Sequence, residues 1–172
     1  MSAEVKAMIL TVGGSPEPLI KSIGHFQPQR VIFIASNESV EQIPAIKAKL
    51  QESACPRFDE HKILVGNIND ATHCYQKSLE AAGFLEKEGI PAEQTLADIT
   101  GGTKVMSAAL LLAAGAKGYI INYTGGSERT KDGMGTVITG SEFLFKQVTP
   151  WEALALEERR KSVQFLVLLC FD

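Results

Sequence analysis

A chain of 172 residues, 45% of them hydrophobic and 22% charged, suits one domain with a core of its own and is too apolar to be disordered. A net charge of −3 argues against a duplex-DNA binder that works by blanket neutralisation of phosphates, but leaves room for a small nucleotide held by local positive charge. Three cysteines (Cys55, Cys74 and Cys170) without a CxxC pair read as reduced thiols of a cytoplasmic protein, and no apolar stretch reaches membrane-spanning length or forms a secretion signal.

In chain order, Lys6–Val12 is expected to be a first strand, stopped by Gly13-Gly14-Ser15. Pro16 suits the first turn of a helix, in which Leu19, Ile20 and Ile23 recur at helical spacing toward His25. Arg30–Ala35 (RVIFIA) is a continuous apolar run, as in a strand covered on both faces. Ser36-Asn37-Glu38-Ser39 follows it, and then a helix from near Pro44 to Glu52. His61–Val65 is a third strand, ending in Gly66-Asn67-Ile68-Asn69-Asp70, with Asp70 placed to cap a long helix that Gly89 closes. Thr95–Ile99 and Gly118–Asn122 are the fourth and fifth strands, with a helix at Val105–Ala114 between them.

This alternation predicts an α/β, Rossmann-like, mostly parallel sheet with helices on both faces. After Asn122 the pattern changes. Tyr123–Gly133 reads as a polar, glycine-rich loop, and Thr136–Thr139 with Glu142–Gln147 as a hairpin about Gly140-Ser141. A charged helix begins at Pro150 and turns apolar at Val163–Cys170. Residues 1–150 are thus expected to form the domain, and residues 151–172 a helix connecting toward a further one.

The polar loops all fall at the carboxyl ends of the expected strands, where such sheets bind ligands. The most informative stretch is Asp98–Leu110, DITGGTKVMSAAL. Thr100-Gly101-Gly102-Thr103-Lys104 turns a strand into a small-residue helix that Thr103 can cap, and Lys104 adds a cation at the positive end of the helix dipole. That is an anion-binding corner. Paired glycines recur at Gly13-Gly14 and Gly125-Gly126, where a turn needs only one.

The corner lacks the earlier glycine of a P-loop and Gly13-Gly14 does not extend to G-x-G-x-x-G, so a conventional ATPase or NAD enzyme is not expected. No cofactor and no metal are expected, because no carboxylate cluster or Cys/His spacing suggests a ligand set. His25 and His61 fall at the far ends of their elements, and His73, one turn into its helix, reads first as a plain helix residue. Met106 and Met134 read as packing residues. Arg129, Lys131 and Asp132 read equally as a solvated loop and as ligand contacts. The residues alone describe a polyanion cradle of backbone amides, hydroxyls, Lys104 and Arg129, without a strong general base.

Three motifs in this order and spacing, TVGGSPEPL, DITGGTKVMSAAL and YTGGSERTKDGMGTVITGSE, resemble a CARF domain (the CRISPR-associated Rossmann fold) over about Lys6–Glu158. The branch is the one found in ancillary effectors of type III CRISPR systems that carry a C-terminal nuclease or other toxic domain. The resemblance implies an antiviral sensor of cyclic oligoadenylates, cyclic tetra-adenylate before larger rings, held in the cleft of a two-fold homodimer. Under it, Gly13, Gly14 and Ser15, with Thr100, Gly101, Gly102, Thr103 and Lys104, contact phosphates and riboses. Ser36, Asn37 and Glu38, with Asn67 and Asp70, border adenine pockets, while Tyr123, Gly125, Gly126 and Arg129 close over the ring.

The chain ends at Asp172, where an effector would begin, so it is expected to be either a sensor domain or a naturally short protein. A short protein of this kind would sequester the messenger or cleave it as a metal-independent ring nuclease. Cleavage would fall to Ser15, Thr103 and Lys104 and run slowly. A Rossmann-like enzyme for an unrelated nucleotide is the third reading.

Overall fold

Each of the five expected strands forms, and all five lie parallel in one sheet. The structure, a computed structural model, describes residues 4–126, 138 and 140–144. In chain order the elements are β1 (Ala7–Thr11), α1 (Glu17–Phe26), β2 (Arg30–Ala35), α2 (Gln42–Glu52), β3 (Asp59–Leu64), α3 (Ala71–Lys87), β4 (Thr95–Asp98), α4 (Lys104–Lys117) and β5 (Ile120–Asn122). A separate pair, β6 (Thr124–Gly126) and β7 (Glu142–Leu144), follows. The strand order β3-β2-β1-β4-β5 makes this a Rossmann-like α/β sheet.

Strand alternation divides the core in two. Met8, Leu10 and Val12 of the first strand region pack with Leu19 and Ile23 of α1 and Ile43 and Ile46 of α2. Ala7 and Ile9 face the other way, toward Ala81 and Leu85 of α3 and Met106 and Leu110 of α4. Burial on both faces explains why RVIFIA shows no polar alternation. Asp70 caps α3, accepting the His73 N–H at 3.0 Å, and Thr103 caps α4, accepting the Met106 N–H at 3.2 Å. Gly118 ends α4 with φ of 75°, a left-handed cap that favours glycine.

Two boundaries differ from the sequence reading for identifiable reasons. β3 starts at Asp59, two residues earlier than expected, because it is an edge strand whose outer residues Asp59-Glu60-His61-Lys62 are polar. Charge along an open edge deters pairing with other chains and hides the strand's apolar pattern. α2 starts before Pro44, with the proline inside its first turn, where a missing N–H costs little.

The C-terminal hairpin requires a correction. Glu142–Leu144 pairs antiparallel with Thr124–Gly126, with Thr124 opposite Leu144 and Gly126 opposite Glu142. A glycine pair read as loop is therefore strand, formed by a pairing too distant in sequence to leave a local signal. Of the expected partner Thr136–Thr139 only Ile138 is described, exposed and outside any strand. Arg129, Lys131, Asp132, Met134, Cys170 and the helix from Pro150 lie outside the described residues. Among the described residues no helix is long and apolar enough to cross a membrane.

Candidate functional site

Because the five strands run parallel, the loops that leave them share one edge of the sheet. The chain passes from β1 toward β2 on one side and from β4 toward β5 on the other, so a crevice opens between the ends of β1 and β4. The Gly13-Gly14-Ser15 loop and the Thr100–Lys104 corner meet there.

Glycine explains how closely they meet. A Cβ on Gly101 would lie 2.1 Å from the Thr11 carbonyl oxygen, and one on Gly13 would lie 2.7 Å from the Gly102 nitrogen. Gly102 has φ of 76°, and its Cβ would lie 2.9 Å from that of Thr11. These three glycines let two backbones touch. Gly14 differs: it is exposed, has no positive φ, and an added Cβ would enter open space. Nothing within the fold requires glycine there, which points to an approach from outside.

The corner is locked by its carbonyl. Gly101 O accepts from Thr11 Oγ1 at 2.6 Å and from Ser107 Oγ at 2.7 Å. Among the described residues, the N–H groups of Gly14, Ser15, Gly102 and Thr103 find no acceptor. Lys104, first residue of α4, is exposed and makes no ion pair among the described residues, whereas Lys49, Lys77 and Lys117 each hold a glutamate. Free amides, a helix N-terminus and an unpaired ammonium are the groups that hold phosphate oxygens.

The remaining candidates divide by what their polar atoms already do. The Ser15 hydroxyl is exposed and without a partner among the described residues. The Thr103 hydroxyl accepts the capping N–H and donates to the Ile68 carbonyl at 3.2 Å, so it ties the corner to the loop after β3. Thr100 accepts the Thr124 N–H on its hydroxyl at 2.8 Å. Ser36 is buried and shapes its turn: its hydroxyl donates to Glu38 Oε2 at 2.8 Å and accepts the Ser39 N–H at 3.0 Å. That hydroxyl holds the exposed Glu38 carboxyl below its usual pKa. Asn37 is exposed beside it.

Asn67 uses its Oδ1 on the Asn69 N–H, and Asp70 caps α3, so both serve local turns while remaining exposed. Tyr123 is 39% exposed at the end of β5. Gly125 and Gly126 sit within β6 against α1, in strand where a loop was expected. Arg129 lies outside the described residues.

None of the histidines belongs to the corner. His25 meets Phe26 edge-on, His61 stacks on Phe84 at 4.2 Å, and His73 gives its N–H to the α3 cap. Burial raises the pKa of Cys55 and, helped by Asp70, that of Cys74, so both stay as thiols. Among the described residues no three His, Cys, Asp or Glu gather as a metal site. Sequence reasoning missed a buried trio beneath the corner, Asp98, Ser22 and Asn122. The available signal was a carboxylate ending an otherwise apolar strand beside a glycine pair.

No family model and no curated protein matches the chain. Solved structures do. Can2 from Sulfobacillus thermosulfidooxidans, in complex with cyclic tetra-adenylate, is 17% identical with a TM-score of 0.57, over 69% of this chain and 31% of that one. A type III CRISPR defence DNA nuclease activated by cyclic oligoadenylate is 17% identical with a TM-score of 0.58, over 88% and 22%. Csm6 from Enterococcus italicus, bound to cyclic hexa-2′-fluoro-hexa-dAMP, is 12% identical with a TM-score of 0.62, over 94% and 47%. This chain therefore spans less than half of each of these longer chains. What it shares with them is the fold, the one that the three motifs implied.

Proposed function

We propose that this chain is a cyclic oligoadenylate-binding sensor domain of type III CRISPR defence. The observation that carries the reading is the crevice between β1 and β4, where, among the described residues, two loops present unengaged amides beside an unpaired Lys104. Such a site suits phosphodiesters, each with one negative charge, better than a triphosphate with its magnesium. That the fold neighbours hold cyclic tetra-adenylate or a cyclic hexanucleotide analogue supports the choice of ring.

One crevice is too small to surround a ring, so a two-fold pair is required. The outer face of α4 offers a contact for it. Ala108, Leu111, Leu112 and Ala116 are exposed at helical spacing, Leu112 by 67%, on the helix that Lys104 begins. Pairing there would bring two copies of the corner to one ligand.

The free Ser15 hydroxyl and Lys104 favour a second reading, slow ring cleavage without metal. A ribose 2′-OH attacks the adjacent phosphorus, the P–O5′ bond breaks, and a linear product with a 2′,3′-cyclic phosphate results. Positioning and charge stabilisation would supply the rate, since the described crevice contains no histidine. Radiolabelled cyclic tetra- and hexa-adenylate, incubated with the protein in EDTA and resolved by chromatography, test both readings. Bound, intact ring supports the sensor, linear 2′,3′-cyclic phosphate supports the nuclease, and failure to bind either ring overturns both.

A further inference from the structure

Asp98 is fully buried, and among the described residues it faces no cation. A buried carboxylate without a countercharge persists only where donors satisfy its oxygens. Three do so, each from a different place. The Thr100 N–H donates to Oδ1 at 2.9 Å. The Asn122 amide at the end of β5 donates to Oδ2 at 2.8 Å, and the Ser22 hydroxyl of α1 donates to the same oxygen. Donors on both Oδ1 and Oδ2 call for a side chain with two acceptor oxygens, which aspartate has and asparagine has not.

From Asp98 the bonds continue around a closed circuit. Thr100 receives the Thr124 N–H of β6, β6 pairs with β7, and the Glu142 carbonyl of β7 accepts from Lys21 of α1. Lys21 is the neighbour in sequence of Ser22, which returns to Asp98.

We propose that Asp98 is a positioning residue for the corner, and that this circuit makes the corner and the β6–β7 pair one mechanical unit. Seating of the strand pair then sets how well the Gly102 and Thr103 amides are presented, and ligand at the corner stiffens the strand pair in return. Only the affinity arm of the test rests on the ring-binding reading; the exchange arm needs no ligand.

The experiment measures amide hydrogen exchange by NMR on the unliganded chain, with cyclic tetra-adenylate affinity alongside. Asp98→Asn should speed exchange at Thr100 and Thr124 about tenfold relative to the core amides of Ile9 and Ile32, and weaken the ring about tenfold. The exchanged pair Asp98→Asn with Asn122→Asp reverses carboxylate and amide, so that one again donates to the other, and should restore both. Should Asp98→Asn not fold, Lys21→Met breaks the circuit from the surface and should speed Thr124 and weaken the ring about threefold. Unchanged exchange at Thr100 and Thr124, equal acceleration of the core amides, or no recovery in the exchanged pair would overturn the proposal. A wild-type chain that binds neither ring overturns the function proposed above, and the exchange result still decides Asp98.

Discussion

Replacing Gly14 by alanine places a methyl group in open space, whereas the same change at Gly101 drives it to 2.1 Å from the Thr11 carbonyl oxygen. Chemical denaturation should therefore show Gly14→Ala within about 0.5 kcal/mol of wild type. Gly101→Ala should lose about 3 kcal/mol or more, because backbone has to move. Ring affinity reverses the order of interest: Gly14→Ala should bind weakly in a fully folded protein, and normal binding would remove Gly14 from the site. Lys104→Ala should leave stability unchanged, since the ammonium is exposed and has no partner among the described residues, and should weaken the ring about tenfold with a shallower salt dependence. Normal affinity in that variant would exclude Lys104. Lys104 and the glycines were legible from the sequence because a glycine pair between strand and helix has few uses. The engagement of the Thr103 hydroxyl was not, since its second partner, Ile68, stands 35 residues away in the chain.

At the scale of elements, α4 carries the clearest expectation. Its inner face is packed through Met106, Leu110 and Ala114, and its outer face shows Leu112. Under the proposed two-fold pairing, Leu112→Glu should leave the fold intact, convert a dimer to a monomer in sedimentation, and reduce ring affinity at low protein concentration. A variant that stays dimeric would place the two-fold contact elsewhere. The same helix shows why elements differ in legibility. α4 has a capping threonine, a closing glycine and small-residue periodicity, all local marks. β3 keeps its marks hidden under edge charges, and β6 is three residues, Thr124-Gly125-Gly126, that become strand only because Glu142–Leu144 reaches them.

The fold was readable because burial on both faces writes inner strands such as β1 and β2 as uninterrupted apolar runs, and strands alternating with helices admit few arrangements. What joins those elements beneath the site, the Asp98 circuit, depends on contacts among four separate stretches and leaves no periodic trace. Tyr119 gives the molecule a predictable response to alkali. Burial, reinforced by Glu86, raises its pKa from the ordinary tyrosine value of about 10 to about 12. A group that holds its proton more tightly when folded supports the fold fully below the unfolded value and loses that support as pH rises through the folded one. Stability should therefore fall by roughly 2 to 3 kcal/mol between pH 10 and 12. Denaturation series at pH 9, 11 and 12 should show this decline in wild type and a smaller one in Tyr119→Phe; identical curves would rule out the phenol as its source.

The touching backbones of Gly13, Gly101 and Gly102 also constrain how the site can diversify. Each position where a side chain would be added at this seam is already filled by backbone or by Thr11. A randomised library that varies these three codons should return almost no folded members. Variation at Gly14, Ser15, Asn37 and Glu38, around the rim, should return many. Under the proposed function, preference for one ring over another is thus open to selection only from the margin of the crevice, while its floor is inherited unchanged.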